Sequence, residues 1–142
     1  FSQGGPITVI LGDNIFQSSL APVVTSFKGG AHVLLKEVPD PQRFGEATIE
    51  NGQVINIIEK PSNPASNFAV TGIYIYDHQV FDIIRTCEPS GRGELEISDV
   101  NAKYLEKSEV NYAILDGWWS DAGTFKSLAK ASELVLTDPV HA

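Results

Sequence analysis

Extended apolar runs alternate with helical patterns along this chain, and that alternation limits the fold to the α/β class. Strands are predicted at residues 8–11, 31–38, 68–77 and 112–115. A β-hairpin is predicted between residues 47–49 and 54–58, because Asn51-Gly52 is a strong signal for a two-residue turn. We therefore expect a mixed, mostly parallel open sheet with flanking helices and a β-hairpin.

Four segments have the apolar spacing of helices, and they cover residues 20–27, 80–87, 97–105 and 125–135. Ser18 or Ser19 is expected to cap the first helix, and Thr124 the last. Residues 116–124 are expected to form a loop. The inward side of the last helix is expected to carry Phe125, Leu128, Ala131 and Val135.

The composition predicts one globular domain that does not bind nucleic acid. The 142 residues carry a net charge of −8, and no run of Lys and Arg provides the basic patch that a phosphate backbone needs. The single cysteine, Cys87, excludes an internal disulfide, and the three histidines lack zinc-ligand spacing. No stretch of 18 apolar residues and no signal-peptide pattern is present, so the sequence predicts a cytoplasmic protein without a membrane partner.

Polar residues end the first apolar run abruptly, because residues 8–11 are followed by Gly12, Asp13 and Asn14. An apolar run of this kind is typical of a strand that is covered on both faces. In open α/β sheets, ligands bind at the carboxyl ends of strands, and a carboxylate there can hold a hard cation such as Mg2+. The alternative is that Asp13 or Asn14 only starts a turn or caps a helix.

A second polar group, Glu59-Lys60, ends the second strand of the predicted hairpin. The lysine can neutralise a phosphate while the glutamate accepts hydrogen bonds from sugar hydroxyls, although such pairs are often solvated surface. Gly72 lies inside the predicted strand 68–77. A glycine in that position often marks the close approach of a ligand or of another backbone segment.

A third polar group is "GRGELE", residues 91–96, in which two glycines flank a fork-shaped donor, Arg92. The guanidinium can bind a ligand, or it can pair structurally with Glu94 or Glu96. Both alternatives stay open from the sequence.

The fourth polar group is "WWSDAGT", residues 118–124. A tryptophan near an aspartate can form a wall for a sugar face, and the alternative is that Trp118 and Trp119 only anchor the last strand. Asp121 and Asp13 lie at different strand ends and could together hold one Mg2+, which would bridge phosphate oxygens in phosphoryl or nucleotidyl transfer.

Five segments occur in the order and at about the intervals found in sugar-1-phosphate nucleotidyltransferases. They are "LGDNIF", "DPQRFGEATIENGQVINIIEKP", "SNFAVTGIYIYD", "PSGRGELEISDVNAKYL" and "WWSDAGTFKSLAKAS". The chain therefore resembles that family over residues 8–135, and it is most similar to the thymidylyltransferase subgroup.

The resemblance implies a partial Rossmann-like nucleotidyltransferase fold with Mg2+ as the cofactor. The implied reaction transfers a nucleotidyl group from a nucleoside triphosphate to a sugar 1-phosphate and releases pyrophosphate. The segment "RGELEISDVN" favours dTTP, with UTP as the alternative, and glucose 1-phosphate is the expected sugar phosphate.

The resemblance also implies roles for individual residues. Asp13 and Asp121 resemble the metal carboxylates, and together with Lys60, which resembles the lysine that neutralises the sugar's phosphate, they form the implied catalytic set. Arg92 resembles the arginine that meets the phosphate. The other implied substrate-binding positions are Gly45, Glu59, Val70, Gly72, Tyr74, Glu94, Ile97 and Trp119.

The sequence departs from the family pattern in two ways. Phe44 stands where the family usually has tyrosine, and Ser120 and Ala122 are also unusual, which bears on fine substrate preference. The family's glycine-rich triphosphate loop has no counterpart, because residues 4–6 are too short and precede a strand. We therefore expect residues 1–142 to be a single domain, the sugar-phosphate- and metal-binding portion of a longer enzyme, and to be inactive alone.

Two other interpretations stay open. The chain is a non-catalytic module that binds sugar phosphate or self-associates, or it is an enzyme that takes its glycine-rich loop from another chain. In the family, the strand at residues 8–11 pairs with strands that this chain lacks. We therefore expect an unpaired apolar edge there and a homo-oligomer as the result.

Overall fold

A computed structural model describes residues 3–91 and 93–139 as sheets flanked by helices. The strands are β1 Ile7–Ile10, β2 Asn14–Phe16, β3 Ala31–Glu37, β4 Gly45–Glu50, β5 Gln53–Glu59, β6 Phe68–Tyr76, β7 Val110–Ile114 and β8 Trp119–Asp121. The helices are α1 Ala21–Ser26, α2 Val80–Arg85, α3 Ile97–Glu106 and α4 Phe125–Thr137. Within these described ranges, no helix has both the length and the apolar character needed to cross a membrane.

Strand β6 is the centre of the main sheet. The strand order is β5-β4-β6-β3-β7, and β1 also pairs with β6. The strand β4 pairs with the first half of β6, at Ala69 and Val70, whereas β1 pairs with the second half, from Ile73 to Tyr76. Residues 69–76 are all buried, as is typical of a strand covered on both faces.

The predicted α/β class, with a mixed sheet, flanking helices and a hairpin, is confirmed. Asn51 and Gly52 join β4 to β5 with φ angles of 51° and 76°, as a two-residue turn requires. The predicted predominance of parallel pairs is wrong for the described strands, because β3–β7 is parallel and the other pairs are antiparallel. The tight hairpin makes β4 and β5 antiparallel, whereas β7 follows α2 and α3, which supply the crossover that a parallel pair needs.

Three local predictions are wrong. The strand β1 is not covered on both faces, since its burial alternates and Ile10 is 47% exposed. Residues 119–121 form β8, antiparallel to β2, rather than a loop. Neither serine is the N-cap residue of α1, which is Leu20 and makes no side-chain hydrogen bond. The Ser18 hydroxyl donates to the carbonyl oxygen of Asp116 at 2.7 Å, whereas Ser19 Oγ accepts from the amide of Ala21, the first residue of the helix, at 3.3 Å.

The helix α4 begins as predicted but packs differently. The amide of Ser127 donates to Thr124 Oγ1, and the amide of Thr124 donates to Ser127 Oγ, both at 3.1 Å, which completes a capping box. Ala131 is fully buried, but the other three residues predicted to face inward are exposed, so that prediction is wrong for Phe125 (96% exposed), Leu128 (46%) and Val135 (39%). The helix packs mainly against β8, a three-residue strand that is too short to cover a wide apolar face.

Apolar clusters fill both faces of β6. On one face, Tyr74 and Tyr76 pack with Val100 and Tyr104 of α3. The rings of Tyr74 and Tyr76 stack at 5.8 Å between centroids, and those of Tyr76 and Tyr104 at 5.7 Å. The cluster on the other face is built on Leu34, Ile73 and Leu115.

Asp77 links the end of β6 to α3 and to the turn before β3. Its Oδ1 accepts hydrogen bonds from Tyr104 Oη at 2.9 Å and from the amide of Gln79 at 3.0 Å, and its Oδ2 accepts from the amide of Gly30 at 3.0 Å. Burial opposes ionisation of this carboxyl, but the hydrogen bonds from Gly30, Tyr104 and Gln79 together lower its pKa below the ordinary value of 3.8. Burial, followed by the hydrogen bond to Asp77, raises the pKa of Tyr104.

We expect Asp77 to make stability depend on pH in the acid range. A lowered pKa in the folded state contributes stability that is fully present above the ordinary value of 3.8 and is lost as the pH falls through the folded-state pKa. The stability difference between the unmodified chain and Asp77→Asn should therefore be constant near neutral pH and should shrink below pH 3.8. Urea unfolding from pH 7 to pH 2 measures this, with the exposed Asp82→Asn as the control, and a pH-independent difference would contradict it.

Candidate functional site

A pocket of about 210 Å3 lies where β1, β2, β5, β6 and β8 end or meet. Its lining includes ten of the residues singled out from the sequence, which are Asp13, Gly45, Glu59, Lys60, Val70, Gly72, Tyr74, Ile97, Trp119 and Asp121. A larger hollow of about 420 Å3 between β5, α3 and β7 has no charged side chain in its lining. Charged groups therefore converge in the smaller pocket.

The short ribbon of β2 and β8 brings the two aspartates together. Asn14 lies directly opposite Asp121 in this ribbon, and the amide of Ala122 donates to the carbonyl oxygen of Asp13 at 2.7 Å. A Cβ placed on Gly123 would lie 2.9 Å from Asp121 Oδ1 and 3.1 Å from Asp13 Oδ2. The two carboxylates thus face one small region that a larger side chain at Gly123 would fill.

The donor set at this point fits Mg2+. Mg2+ prefers oxygen ligands and is usually held by one or two carboxylates, with water and substrate phosphates at the other positions. Asp13 and Asp121 supply two such carboxylates. No group of three or more Asp, Glu, His or Cys side chains suited to a metal occurs in residues 3–91 and 93–139, so an all-protein cage is not formed by that part of the chain.

Asn14 contacts three parts of the site, a role that the sequence did not indicate. Its Oδ1 accepts hydrogen bonds from the amide of Gly72 at 2.8 Å and from Trp119 Nε1 at 2.7 Å, and its Nδ2 donates to Asp13 Oδ1 at 2.9 Å. A Cβ on Gly72 would lie 2.3 Å from Asn14 Nδ2. The glycine therefore gives room to a protein side chain, where the sequence suggested a ligand or another backbone segment.

The hairpin forms the opposite wall of the pocket. Gly45 pairs with both Glu59 and Val70, and a Cβ at Gly45 would lie 3.3 Å from Glu59 Oε2. Lys60 follows with φ at 43°, an uncommon conformation for a residue with a side chain, and its amide donates to the carbonyl oxygen of Phe44 at 3.0 Å. Its Nζ lies 3.7 Å from Glu59 Oε1, with the lysine side chain half exposed.

Arg43 is a second cationic side chain in the pocket, and no pattern in the sequence marks it as a site residue. Its Nη1 lies 2.8 Å from Asp40 Oδ2, and its Nη2 lies 3.8 Å from Asp121 Oδ2. The guanidinium sits 5.0 Å from the centre of the Phe44 ring, and that ring meets Trp119 edge-on at 5.1 Å. Arg43 therefore lies over Phe44, whose ring packs against Trp119, while its guanidinium points to Asp121.

Tyr74 is a buried phenol at the base of the pocket. Burial, followed by the nearby charges of Glu59 and Asp13, raises the pKa of its hydroxyl. The phenol therefore stays protonated at neutral pH. It can donate a hydrogen bond or pack against a ligand, but it cannot act as a base.

Two of the remaining candidates, Glu94 and Trp118, lie outside the pocket lining. Glu94 is exposed and is not part of the pocket lining. Arg92 lies outside the described residues, so its choice between a ligand and a structural partner stays a prediction. Trp118 Nε1 donates to the carbonyl oxygen of Asp138, which fits the role of a structural anchor for that tryptophan.

Known proteins are similar to this chain in sequence. The family model described as "Nucleotidyl transferase" matches residues 1–138. A glucose-1-phosphate thymidylyltransferase of Xanthomonas campestris pv. campestris is 40% identical over 96% of this chain and 49% of its own length. The low-salt glycan biosynthesis nucleotidyltransferase Agl11 of Haloferax volcanii is 41% identical over 90% of this chain and 37% of its own length.

Solved structures agree with the family match. A Bacillus anthracis protein, provisionally described as a glucose-1-phosphate thymidylyltransferase and solved with a sucrose, superposes with a TM-score of 0.88 at 48% identity, over 99% of this chain and 58% of that one. Apo UDP-glucose pyrophosphorylase shares the fold at 21% identity and a TM-score of 0.82, over 97% of this chain and 56% of that one.

The fold and the family match together define the class of protein. The chain belongs to the nucleotidyl transferase family. It is similar to glucose-1-phosphate thymidylyltransferases, and it spans about half the length of those relatives.

We expect Gly72→Ala to destabilise the chain, because the new Cβ would collide with the Asn14 amide. The cost should be roughly 1–3 kcal/mol, as is usual for overpacking. Thermal unfolding followed by circular dichroism measures it. Gly12→Ala is the matched control, because no atom lies within 4 Å of a Cβ at that position. Equal melting temperatures for the two variants would contradict the assigned packing.

Proposed function

We propose that this chain provides the sugar-phosphate- and metal-binding part of a nucleotidyltransferase. The proposed reaction transfers the nucleotidyl group of dTTP to glucose 1-phosphate and releases pyrophosphate. The supporting observation is that Asp13, Asp121 and Lys60 line one pocket, where both carboxylates face the same region. The similarity to glucose-1-phosphate thymidylyltransferases supports the choice of substrates.

In the proposed reaction, a phosphate oxygen of the sugar phosphate attacks the α-phosphorus of the triphosphate in line, and pyrophosphate leaves. Mg2+ bound to Asp13 and Asp121 would neutralise the charge that builds up on the phosphate oxygens. Lys60 Nζ is proposed to neutralise the phosphate of the sugar, and Arg92 to donate to the same group. In this proposal the two carboxylates hold the cation, and the two cationic side chains act on the phosphate directly.

The sugar is proposed to lie against the hairpin wall. Glu59 accepts hydrogen bonds from the sugar hydroxyls, Gly45 supplies a further partner, and Val70 and Gly72 line the pocket beside the sugar. Trp119 forms the apolar wall, while Tyr74 and Ile97 close the base. Glu94 is proposed to approach from the exposed segment before α3.

The triphosphate is proposed to bind to a glycine-rich loop that residues 1–142 do not supply. The chain spans about half the length of its relatives, and its sequence has no glycine-rich loop that follows a strand. A second candidate function is a module that binds sugar phosphate or self-associates without turnover. The placement of the protein in the cytoplasm stays a prediction from the sequence.

We also propose that copies of this chain associate through β1. In the described residues β1 pairs with β6 on one side, and both Ile10 and Leu11 are more than 40% exposed. An apolar edge strand with unpaired N–H and C=O groups is a template for pairing with a second copy.

The substrate proposal predicts that the chain binds glucose 1-phosphate more tightly in the presence of Mg2+ and does not bind dTTP. Lys60→Ala should weaken the affinity for glucose 1-phosphate by about 10- to 100-fold, since a hydrogen bond to a charged group contributes about 1.5–3 kcal/mol. Asp13→Asn and Asp121→Asn should remove the effect of Mg2+. Isothermal titration measures each affinity, with the exposed Lys126→Ala as the control.

Three results would change this proposal. Heat from neither ligand would show that the pocket does not bind sugar phosphate in this chain. Tight binding of dTTP would contradict the proposal that the triphosphate site lies elsewhere. An equal loss of affinity in Lys126→Ala would contradict a specific role for Lys60.

The self-association proposal predicts a concentration-dependent increase in mass by light scattering. Ile10→Lys should return the chain to a monomer, because charged residues on an edge strand oppose pairing. Ile55→Lys is the matched control, since Ile55 is 49% exposed on another edge strand, β5. A monomeric unmodified chain at high concentration would overturn the proposal.

A further inference from the structure

The amide of Asn14 has one permitted orientation. Its Oδ1 accepts two N–H donors, the Gly72 amide at 2.8 Å and the Trp119 indole at 2.7 Å, which uses both lone pairs of a carbonyl oxygen. The reversed orientation would set an NH2 group against both donors. Nδ2 is therefore held at 2.9 Å from Asp13 Oδ1.

This orientation decides which oxygen of Asp13 faces the second carboxylate. Oδ1 accepts from Asn14, whereas Oδ2 faces the position where a Gly123 Cβ would lie, on the side of Asp121. Asp121 Oδ1 in turn accepts from the Gly123 amide at 2.7 Å. Each carboxylate thus accepts a short hydrogen bond from one protein N–H donor, and Asp121 Oδ2 also lies 3.8 Å from Arg43 Nη2.

We propose that Asn14 is a positioning residue that sets the Asp13 carboxylate and the Trp119 ring relative to the backbone of β6. The inference rests on the proposed function, because Asp13 faces the cation and Trp119 faces the sugar in that proposal. The Asn14 side-chain amide then holds both the cation-binding carboxylate of Asp13 and the ring of Trp119, so its removal should displace both. This role of Asn14 requires a glycine at position 72, because a side chain there would displace the Asn14 amide.

The structure offers a control for simple loss of stability. Thr71 is fully buried beside Gly72, and its hydroxyl donates to the carbonyl oxygen of Leu34 at 2.8 Å, on the other face of the sheet from the pocket. Thr71→Val removes one buried hydrogen bond from the same strand while it keeps the shape of the side chain. A loss of affinity that arises only from lower stability should appear in this variant too.

The test measures Mn2+ binding by electron paramagnetic resonance, with Mn2+ as the probe for the cation. We expect Asn14→Ala to weaken Mn2+ binding about tenfold, the usual effect of losing a residue that orients a metal ligand. Thr71→Val should bind Mn2+ like the unmodified chain. Trp119→Phe, which removes the indole donor and no cation ligand, should weaken Mn2+ binding less than Asn14→Ala does, and it serves if Asn14→Ala does not fold.

A second readout does not depend on any ligand. The chain has two tryptophans, so its 15N-correlated NMR spectrum has two indole N–H signals. The Trp119 signal should shift in Asn14→Ala, whereas the Trp118 signal, whose indole donates to Asp138, should stay in place.

The outcomes separate this inference from the proposed function. Unchanged Mn2+ affinity in Asn14→Ala, or an equal loss in Thr71→Val, overturns the positioning role. If the unmodified chain does not bind Mn2+, the proposed role of Asp13 and Asp121 fails instead. In that case the indole signals of Asn14→Ala test whether Asn14 positions Trp119. An unmoved Trp119 signal overturns this role, and a shifted one supports it.

Discussion

The double-sided burial of β6 is the constraint on which the rest of the structure depends. This strand pairs with β1, β4 and β3 and carries apolar clusters on both faces. Because β1 and β4 share one side of it, the segment that leads to Asp13 and the hairpin that carries Glu59 meet at the middle of β6. The pocket is at that meeting point, next to Gly72.

The charges of the pocket come from segments that the sheet brings together rather than from one continuous motif. Asp13 and Asp121 are more than 100 residues apart in the sequence and meet through the ribbon of β2 and β8. Lys60 and Arg43 come from the two ends of the hairpin, where the Lys60 amide is bonded to Phe44. Rigid strands thus hold opposite charges across a small hollow, which is the arrangement that a phosphate and its cation need.

The sequence predicts a structural feature correctly where a residue type strongly favours one local backbone conformation. It predicts wrongly where the feature depends on which segments pack alongside. The Asn51-Gly52 turn and the Thr124 cap formed as predicted, because each depends on local backbone conformation. The exposure of Phe125 and the ribbon strand at 119–121 were missed, because both depend on which surface lies alongside. The site residues came from ordered motifs, whereas Arg43 and Asn14 have no local signal that marks them.

The sequence by itself determined the α/β class, the hairpin and the family resemblance, since periodicity, turn residues and ordered motifs are local properties of the chain. Only the tertiary structure decided the direction of strand pairing and the placement of Asn14 against Gly72. Both depend on contacts between segments far apart in the sequence, where sterics and unpaired hydrogen-bonding groups select one arrangement. An asparagine after an aspartate is therefore only a turn residue in the sequence, and a central contact of the site in the fold.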